Sequence, residues 1–469
     1  MSTSLMKAVQ RDFALLNWPT QTQPEKILDV AIIGGGQCGL GLSLALRKMN
    51  ITNVQIFDRA KSGEEGPWAT TARMLTLRTP KEFPGPALEF PNLTFRAWYE
   101  DKNGEWEKLG KIPTLEWASY LRWFSKTLNL SIKNEWHLQS IEPQSPLIRL
   151  TFDGNRSVQA RTVVLATGRD GFGGFSIPPF ITHLPRSSWF HTGERIDPKV
   201  FIGKKIVVVG AAASAFDIAA TALEHGAEKV TLLMRREELP DRNPNAEFKG
   251  WAAYASMTDR EKIEKLETTS KLGTVVPPES VARVTKWKNF TLLPKTIIAG
   301  AYRDRIERAA RRNPGPSGPG QASYLSIRGK ELAAPFRSGE SPSLKEGVLQ
   351  TNQGPIPTDL ILLGTGYTID LFRIPELTAV CNQILLWGDL YPEASPKVAP
   401  YPYLGPHFEF LEKKKGTAPH LKHIYCFNYG AFLSQGRIAG DTDVIPIGLN
   451  RLAEGIAIDL FKAAGSWLK

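Results

Sequence analysis

Apolar residues in the first half of the chain come in two kinds of run, and their order repeats. Leu28–Ile33 reads LDVAII, a short stretch without alternation, as expected of a strand buried on both faces. A helical stretch over Leu40–Met49 follows, then a second apolar run, Val54–Phe57. Further on the sequence returns to this order: Ile206–Val209, a helix over Phe216–Glu224 stopped by His225 and Gly226, and Val230–Leu233. Two more runs, RTVVLATG (Arg161–Gly168) and DLILLGTG (Asp359–Gly366), each predict a strand that ends in small residues. Helical spacing links Trp117, Tyr120, Phe124 and Leu128, a stripe that suits core first and a cofactor wall second. Thr258–Glu261 is a capping-box pattern, and NRLAEGIAIDLFK (Asn450–Lys462) is an amphipathic helix through Leu452, Ile456 and Leu460. Strands alternating with helices predict an α/β fold with parallel sheets.

The glycines between these elements give the alternation a chemistry. The first strand runs into Gly34-Gly35-Gly36-Gln37-Cys38-Gly39, and the second ends at Asp58, followed by Arg59. Strand, GxGxxG, helix, strand and acid is the order of a dinucleotide cradle. Gly34 permits the tight turn, Gly36 lets backbone approach a pyrophosphate, and Gly39 lets helix pack on strand. The helix start offers free N–H groups to phosphates, and Asp58 can accept from ribose hydroxyls. Cys38 sits at the same helix start, which lowers a thiol pKa, or serves only as a small turn residue. The second opening reads Gly210-Ala211-Ala212-Ala213-Ser214-Ala215. Ala212 and Ala215 replace the second and third glycines, and Ala212 puts a methyl where a pyrophosphate would approach. Its closing strand meets Met234-Arg235-Arg236 instead of a carboxylate. Guanidinium groups there select the 2′-phosphate of NADP, or form a solvated surface pair.

These two openings and two small-ended strands resemble the flavoproteins with two dinucleotide-binding domains. Within them the chain looks like the class B flavin-dependent monooxygenases: the flavin-containing, N-hydroxylating and Baeyer–Villiger types. The resemblance covers roughly residues 28 to 235 and 355 to 469. It implies two Rossmann-like domains, with an NADPH domain inserted into an FAD domain. Reduction of FAD by NADPH would then lead, through a flavin C4a-(hydro)peroxide, to oxygenation of a small soluble substrate by O2. An amine or amino-acid nitrogen is a substrate the resemblance allows. Gly66-Pro67-Trp68 resembles the family's glycine–tryptophan element beside the isoalloxazine. The GTGY ending at Gly364–Tyr367, which includes Gly366, resembles its late strand motif, and Ser214 and Asp217 match its NADPH turn. Thr167, Gly168 and Asp441 join the candidate FAD contacts. The family's FxGxxxH fingerprint is not met: His191 can fill the histidine place, but Pro185, Ser187 and Arg195 stand where Phe, Gly and an aromatic are expected. His191 is then either a linker residue or an ordinary turn histidine, and the atom oxygenated is left open. A flavin reductase or oxidase without oxygen insertion, and a non-catalytic nucleotide sensor, remain the other readings.

Composition bounds the rest. The 469 residues suggest two or three domains: an N-terminal extension (1–27), an FAD domain in two parts (28–190 and 351–469), and an NADPH domain with an irregular insertion (191–350). Three scattered cysteines form no CxxC pair, so dithiol redox chemistry is not expected. Seven isolated histidines suggest no metal centre. The net charge of +11 suits anionic ligands without calling for nucleic acid. No signal peptide or membrane span is visible, so a cytoplasmic location is expected. Trp98 and Trp106 flank the Gly104 turn and are candidates to line a substrate pocket. Tyr302–Arg312 carries five arginines and runs into a Pro/Gly-rich stretch, Asn313–Gly320, which reads as a loop or linker.

Overall fold

A computed structural model describes residues 3–83, 85–241, 251–303 and 347–465. The basic stretch beyond Arg303 and the Pro/Gly-rich linker lie outside the described residues. The chain divides into two units. The first holds residues 1–176, 240–277 and 366–469, and the second holds 177–239 and 278–365.

The first unit opens with helix α1 (Thr3–Leu15), strand β1 (Ile27–Ile33), helix α2 (Gln37–Lys48) and strand β2 (Val54–Phe57). Helices α3 (Phe95–Asp101) and α4 (Thr114–Thr127) come next, then strands β3 (Ile132–Lys133), β4 (Leu138–Gln144), β5 (Leu147–Phe152) and β6 (Arg156–Leu165). The sheet runs β3-β2-β1-β6-β5-β4. β1 pairs in parallel with β2 and with β6, whose ten residues are long enough to serve two neighbours. Its first half pairs antiparallel with β5, and Val163–Leu165 pair in parallel with a late strand, Ile424–Cys426. The apolar run of β1 is thus flanked on both edges, and its last four residues are buried. Trp117, Tyr120 and Phe124 of α4 are fully buried and ring-packed with Phe95 or with one another, so the aromatic stripe is core. Trp98 and Trp106, expected near a substrate pocket, lie in the core. Trp98 is 2% exposed because the short helix α3 turns its aromatic side inward against α4, and Trp106, in the 3₁₀ turn Trp106–Lys108, is 7% exposed and packs on Phe95. The N-terminal extension also belongs to this unit: Leu5 and Val9 are buried, and Phe13 and Trp18 pack on Phe90.

The second unit holds strands β7 (Trp189–His191) and β8 (Lys205–Val209), helix α5 (Ala213–Glu224) and strand β9 (Lys229–Leu233). Its sheet is completed later in the chain by strands at Phe290–Leu293 and Leu360–Leu363, all parallel. This corrects the expected boundaries in three places. Residues 177–190 lead into β7, which pairs with Ile361–Leu363 of the second sheet. The run Leu360–Leu363, expected to return to the first sheet, fills the gap between β8 and β7. Four successive leucine and isoleucine side chains need burial on both faces, and that slot supplies it. After this strand the chain re-enters the first unit at Gly366, where Ser176 N donates to Gly366 O at 2.9 Å and Phe175 packs against Tyr367. Helices α6 (Trp251–Ala255) and α7 (Asp259–Leu272) belong to the first unit, not to an insertion of the second. The capping box at the start of α7 forms: Glu261 N donates to Thr258 Oγ1, and Thr258 N to Glu261 Oε2 at 2.6 Å. Helix α8 (Pro278–Thr285) then returns to the second unit.

Candidate active site: two nucleotide cradles

The two glycine turns have matching geometry. Gly34 has φ of 114° and Gly210 of 112°, a region that only glycine enters without strain. A Cβ on Gly34 would stand 2.9 Å from the carbonyl carbon of Ala166, and one on Gly210 would stand 2.9 Å from that of Gly364. In each case the neighbour is the residue just after the adjoining parallel strand. The turn therefore lies against that strand end as closely as backbone allows. Gly39 is held against the Gly34 carbonyl, as close helix–strand packing requires.

Each turn delivers the chain into a helix that no side chain caps. The N-cap of α2 is Gly36 and that of α5 is Ala212, and neither supplies a side-chain acceptor. A helix start without a cap leaves N–H groups for an anion, and the helix dipole favours negative charge there. Ala212 and Ser214 are both exposed, so the second turn leaves its methyl and hydroxyl within reach of solvent, whereas Ala215 is buried. Arg235 and Arg236 follow β9 and are exposed.

Around the first turn the candidate residues come together. Gly66 has φ of 69° and lies against Gly36: a Cβ on Gly36 would be 3.6 Å from Gly66 Cα. This puts Gly66-Pro67-Trp68 beside the glycine turn, with Trp68 half-buried against the core. Asp58 is buried and accepts from Gly35 N at 2.6 Å and Ala60 N at 2.7 Å, so its carboxylate also fixes the turn. Arg59 is exposed and paired with Asp170 at 2.8 Å. Thr167 Oγ1 accepts from Asn428 Nδ2 at 3.0 Å, and Gly168, with φ of 75°, follows it.

Gln37 is tied into protein. Its amide donates to Gly440 O at 2.9 Å and Thr442 Oγ1 at 3.4 Å and accepts from Trp117 Nε1 at 3.2 Å. It thereby locks the start of α2 to the turn that precedes the last helix, Ile445–Gly465. Asp441, in that turn, pairs with Arg437 at 2.5 Å, and Arg169 lies 3.9 Å away. Burial, helped by the charge of Asp441, pushes the Cys38 thiol up to about 12. Desolvation outweighs the helix start here, so Cys38 is a protonated packing residue and not an activated thiol.

The second unit contains a residue set that sequence reasoning read differently. Asp217 was matched to the NADPH turn, but it is 3% exposed and accepts from Ser280 Oγ at 2.8 Å and Arg283 at 3.4 Å. Arg283 also bonds Glu224 at 2.8 Å, so this network fastens α5 to α8. His191 is fully buried at the end of β7, with Nδ1 accepting from Gly193 N at 3.0 Å. It is a strand-end residue of the second sheet. Asn428 was missed altogether. It is 1% exposed, donates to Leu165 O and Thr167 Oγ1, and accepts from Gly430 N at 2.8 Å. An Asn directly after the apolar run Ile424–Phe427 and two residues before a glycine was the available signal.

Two glycine turns, each at the C-terminal end of a parallel strand and each opening a helix, define an oxidoreductase of the two-nucleotide-domain class. The profile of the pyridine nucleotide-disulphide oxidoreductase family matches residues 31–293, and the chain belongs to that family, on its flavin-dependent monooxygenase side. It is 34% identical over 447 residues to a FAD-dependent urate hydroxylase of Xanthomonas campestris pv. campestris, covering 93% of this chain and 86% of that protein. Its fold is similar to the ornithine hydroxylase from Pseudomonas aeruginosa (TM-score 0.64, 14% identity, 92% of this chain and 100% of the other). The L-lysine 6-monooxygenase from Pseudomonas syringae is similar to the same degree (TM-score 0.64, 13% identity, 93% and 99%). The disulphide in the family's description has no counterpart here, since Cys38, Cys381 and Cys426 are all free thiols.

Proposed function

We propose that this chain is an NADPH-dependent FAD monooxygenase that hydroxylates a small soluble substrate with O2. The observation that carries the reading is the matched pair of glycine turns, each opening an uncapped helix. In this reading FAD binds at the first turn. Its pyrophosphate would take the N–H groups at the start of α2, Gly36 would leave room for it, Gly39 would let the helix pack close on the strand, and Asp58 would accept from the ribose. Asp441, an anion already paired with Arg437, suits a ribityl hydroxyl and not a phosphate. Trp68, Thr167, Gly168 and Gly366 would hold the isoalloxazine end. Gly210, Ala212, Ser214 and Ala215 would hold NADPH, with Arg235 and Arg236 on its 2′-phosphate. Asp217 and His191 act through packing instead.

Bound FAD supplies the hydride acceptor and the oxygen chemistry. Over a turnover NADPH, a proton, O2 and substrate become NADP⁺, water and hydroxylated substrate. The chain's own residues bind both nucleotides, orient them and exclude water. Gln37 holds the Gly440–Thr442 turn in place. The 34% relative favours a nitrogen heterocycle of the urate kind over an amino acid. The test is purified protein reconstituted with FAD. It should be yellow and oxidise NADPH faster than NADH. Hydroxylated product should account for the NADPH consumed once the correct substrate is present. A protein that cannot be loaded with FAD overturns the proposal. Peroxide equal to NADPH across a panel of urate, ornithine and lysine supports the oxidase reading instead.

A further inference from the structure

Apart from the nucleotide turns, the first unit contains a cavity of about 190 Å³ that no motif pointed to. Four aromatic side chains wall it: Trp251 and Tyr254 from α6, and Trp387 and Tyr403 from the C-terminal part. Their positions are fixed. Tyr254 OH donates to Leu433 O at 2.7 Å, and Trp387 Nε1 donates to Ser434 Oγ at 3.1 Å. Three charged groups enter the space: Asp259, Lys262 and Arg451. Asp259 Oδ2 already accepts two phenol hydroxyls, from Tyr391 and Tyr403, each at 2.8 Å. Burial and that carboxylate push the Tyr403 phenol up to about 12, so both donors hold their protons and Asp259 keeps its charge satisfied. The two cations are placed on aromatic faces, Arg451 4.6 Å from the Trp251 ring centre and Lys262 5.8 Å from that of Tyr254. Burial lowers the Arg451 pKa and outweighs the opposing charges of Glu409 and Glu454, so the guanidinium would gain from an added anion beside it.

The cavity also has a place in the unit. Its wall at Ser434-Gln435 continues through the 3₁₀ turn Gly436–Ala439 to Gly440, the carbonyl that Gln37 holds at the start of α2. Four residues of 3₁₀ helix rise about 8 Å. The glycine at 436 is required, because φ is 69° and a Cβ would press 2.9 Å from the Tyr254 ring. The aromatic wall and the turn near the first nucleotide cradle are thus one connected piece of structure.

We infer that this cavity is the substrate site, and that it takes a planar, singly anionic nitrogen heterocycle stacked among the aromatic walls with its charge facing Arg451 and Lys262. Flat aromatic walls select a planar ring, the two cations that line the space against one satisfied lining carboxylate select an anion, with Glu409 and Glu454 acting on Arg451 from outside the lining, and the volume excludes a dinucleotide. The inference rests on the monooxygenase reading for its chemistry, but binding at the cavity can be measured separately.

Urate, an anion at neutral pH, is the probe, with L-ornithine as the cationic comparison. Binding to the FAD-loaded enzyme is followed by tryptophan fluorescence and by calorimetry. Urate should bind and ornithine should not. Arg451→Gln should weaken urate at least tenfold, and Arg451→Lys, which keeps the charge, should stay within about threefold. Trp251→Phe should keep binding while removing part of the fluorescence change. Equal urate affinity in wild type and Arg451→Gln overturns the proposal, as does ornithine binding that is lost in Asp259→Asn. Failure of the wild-type protein to load FAD would refute the monooxygenase reading and not this one, because urate affinity can also be read on the unloaded chain.

Discussion

Gln37→Met tests whether the first cradle is held together as the geometry indicates. Methionine keeps the length of the side chain and its apolar stem but removes every hydrogen bond of the amide. Three bonds disappear: to Gly440 O, to Thr442 Oγ1 and from Trp117 Nε1. Trp117 is 0% exposed, so its indole N–H is left without a partner, at about 1–3 kcal/mol. Gly440 is half-buried, and water can reach its carbonyl, so its share is about 1 kcal/mol. The expected loss is about 2–4 kcal/mol of first-unit stability. With a urea slope of about 2–3 kcal/mol/M, the midpoint should fall by about 1 M, followed by tryptophan fluorescence. FAD affinity should fall as well, because the Gly440–Thr442 turn is no longer tied to the start of α2. A destabilisation under about 0.5 kcal/mol, the size of an ordinary surface substitution, would refute the argument. It would mean that the amide is exchanged for water at no cost and that the cradle does not depend on it.

Three other outcomes follow from the same geometry. Arg235→Ala combined with Arg236→Ala should raise KM for NADPH at least tenfold and leave KM for NADH nearly unchanged, measured by steady-state kinetics; equal effects on both would remove the 2′-phosphate assignment. Arg283→Met strips the buried Asp217 of its cation and should cost about 3 kcal/mol in the second unit, read by chemical denaturation. Cys38 has a thiol raised from about 9 in the unfolded chain to about 12 in the fold. The folded state therefore holds a proton that the unfolded chain releases, and this contribution to stability is complete below about pH 9 and declines as pH rises towards 12. At about pH 8, below both values, an alkylating reagent should leave Cys38 unmodified in the native protein and label it in urea, by mass spectrometry.

What was legible in the sequence was what the local chain dictates. β1, α2 and β2, and β8, α5 and β9, are short apolar runs around a glycine turn, and their order and spacing carry the information. The capping box at Thr258 and the core stripe on α4 are equally local. What was not legible depends on partners distant in sequence. Leu360–Leu363 reads as a buried strand from either side, and nothing in its own residues says which sheet has the vacant slot. Trp98 and Trp106 looked free because they flank a glycine turn, yet Tyr120 of α4 lies against the first and Phe95 of α3 against the second. Asp217 sits where an NADPH contact would be looked for, but Ser280 and Arg283, more than 60 residues on, claim its carboxylate. The cavity at Trp251 and Arg451 draws on segments separated by some 200 residues, and no periodicity connects them.

The two turns also separate what the fold demands of glycine from what a ligand demands. Gly34 and Gly210 are demanded by backbone: positive φ and a neighbouring carbonyl leave no room for a side chain. The third glycine position is demanded by packing, and the second unit meets that demand differently. Ala215 keeps its methyl because the opposing residue is Gly364, where a Cβ would stand 2.6 Å from that of Ala215. The middle position is different in kind. Gly36 has φ of −71°, open to any residue, and a Cβ there would make only ordinary contact with Gly66 at 3.6 Å. Neither strain nor crowding within the protein accounts for glycine at 36, and Ala212 occupies the equivalent place with φ of −88° and no conflict. The remaining reason for a bare Cα at 36 is space for something outside the polypeptide. A pyrophosphate drawn close to the start of α2 fits that space, and the methyl of Ala212 allows a looser approach in the second unit. The difference accords with the proposed assignment of FAD to the first turn and of NADPH to the second.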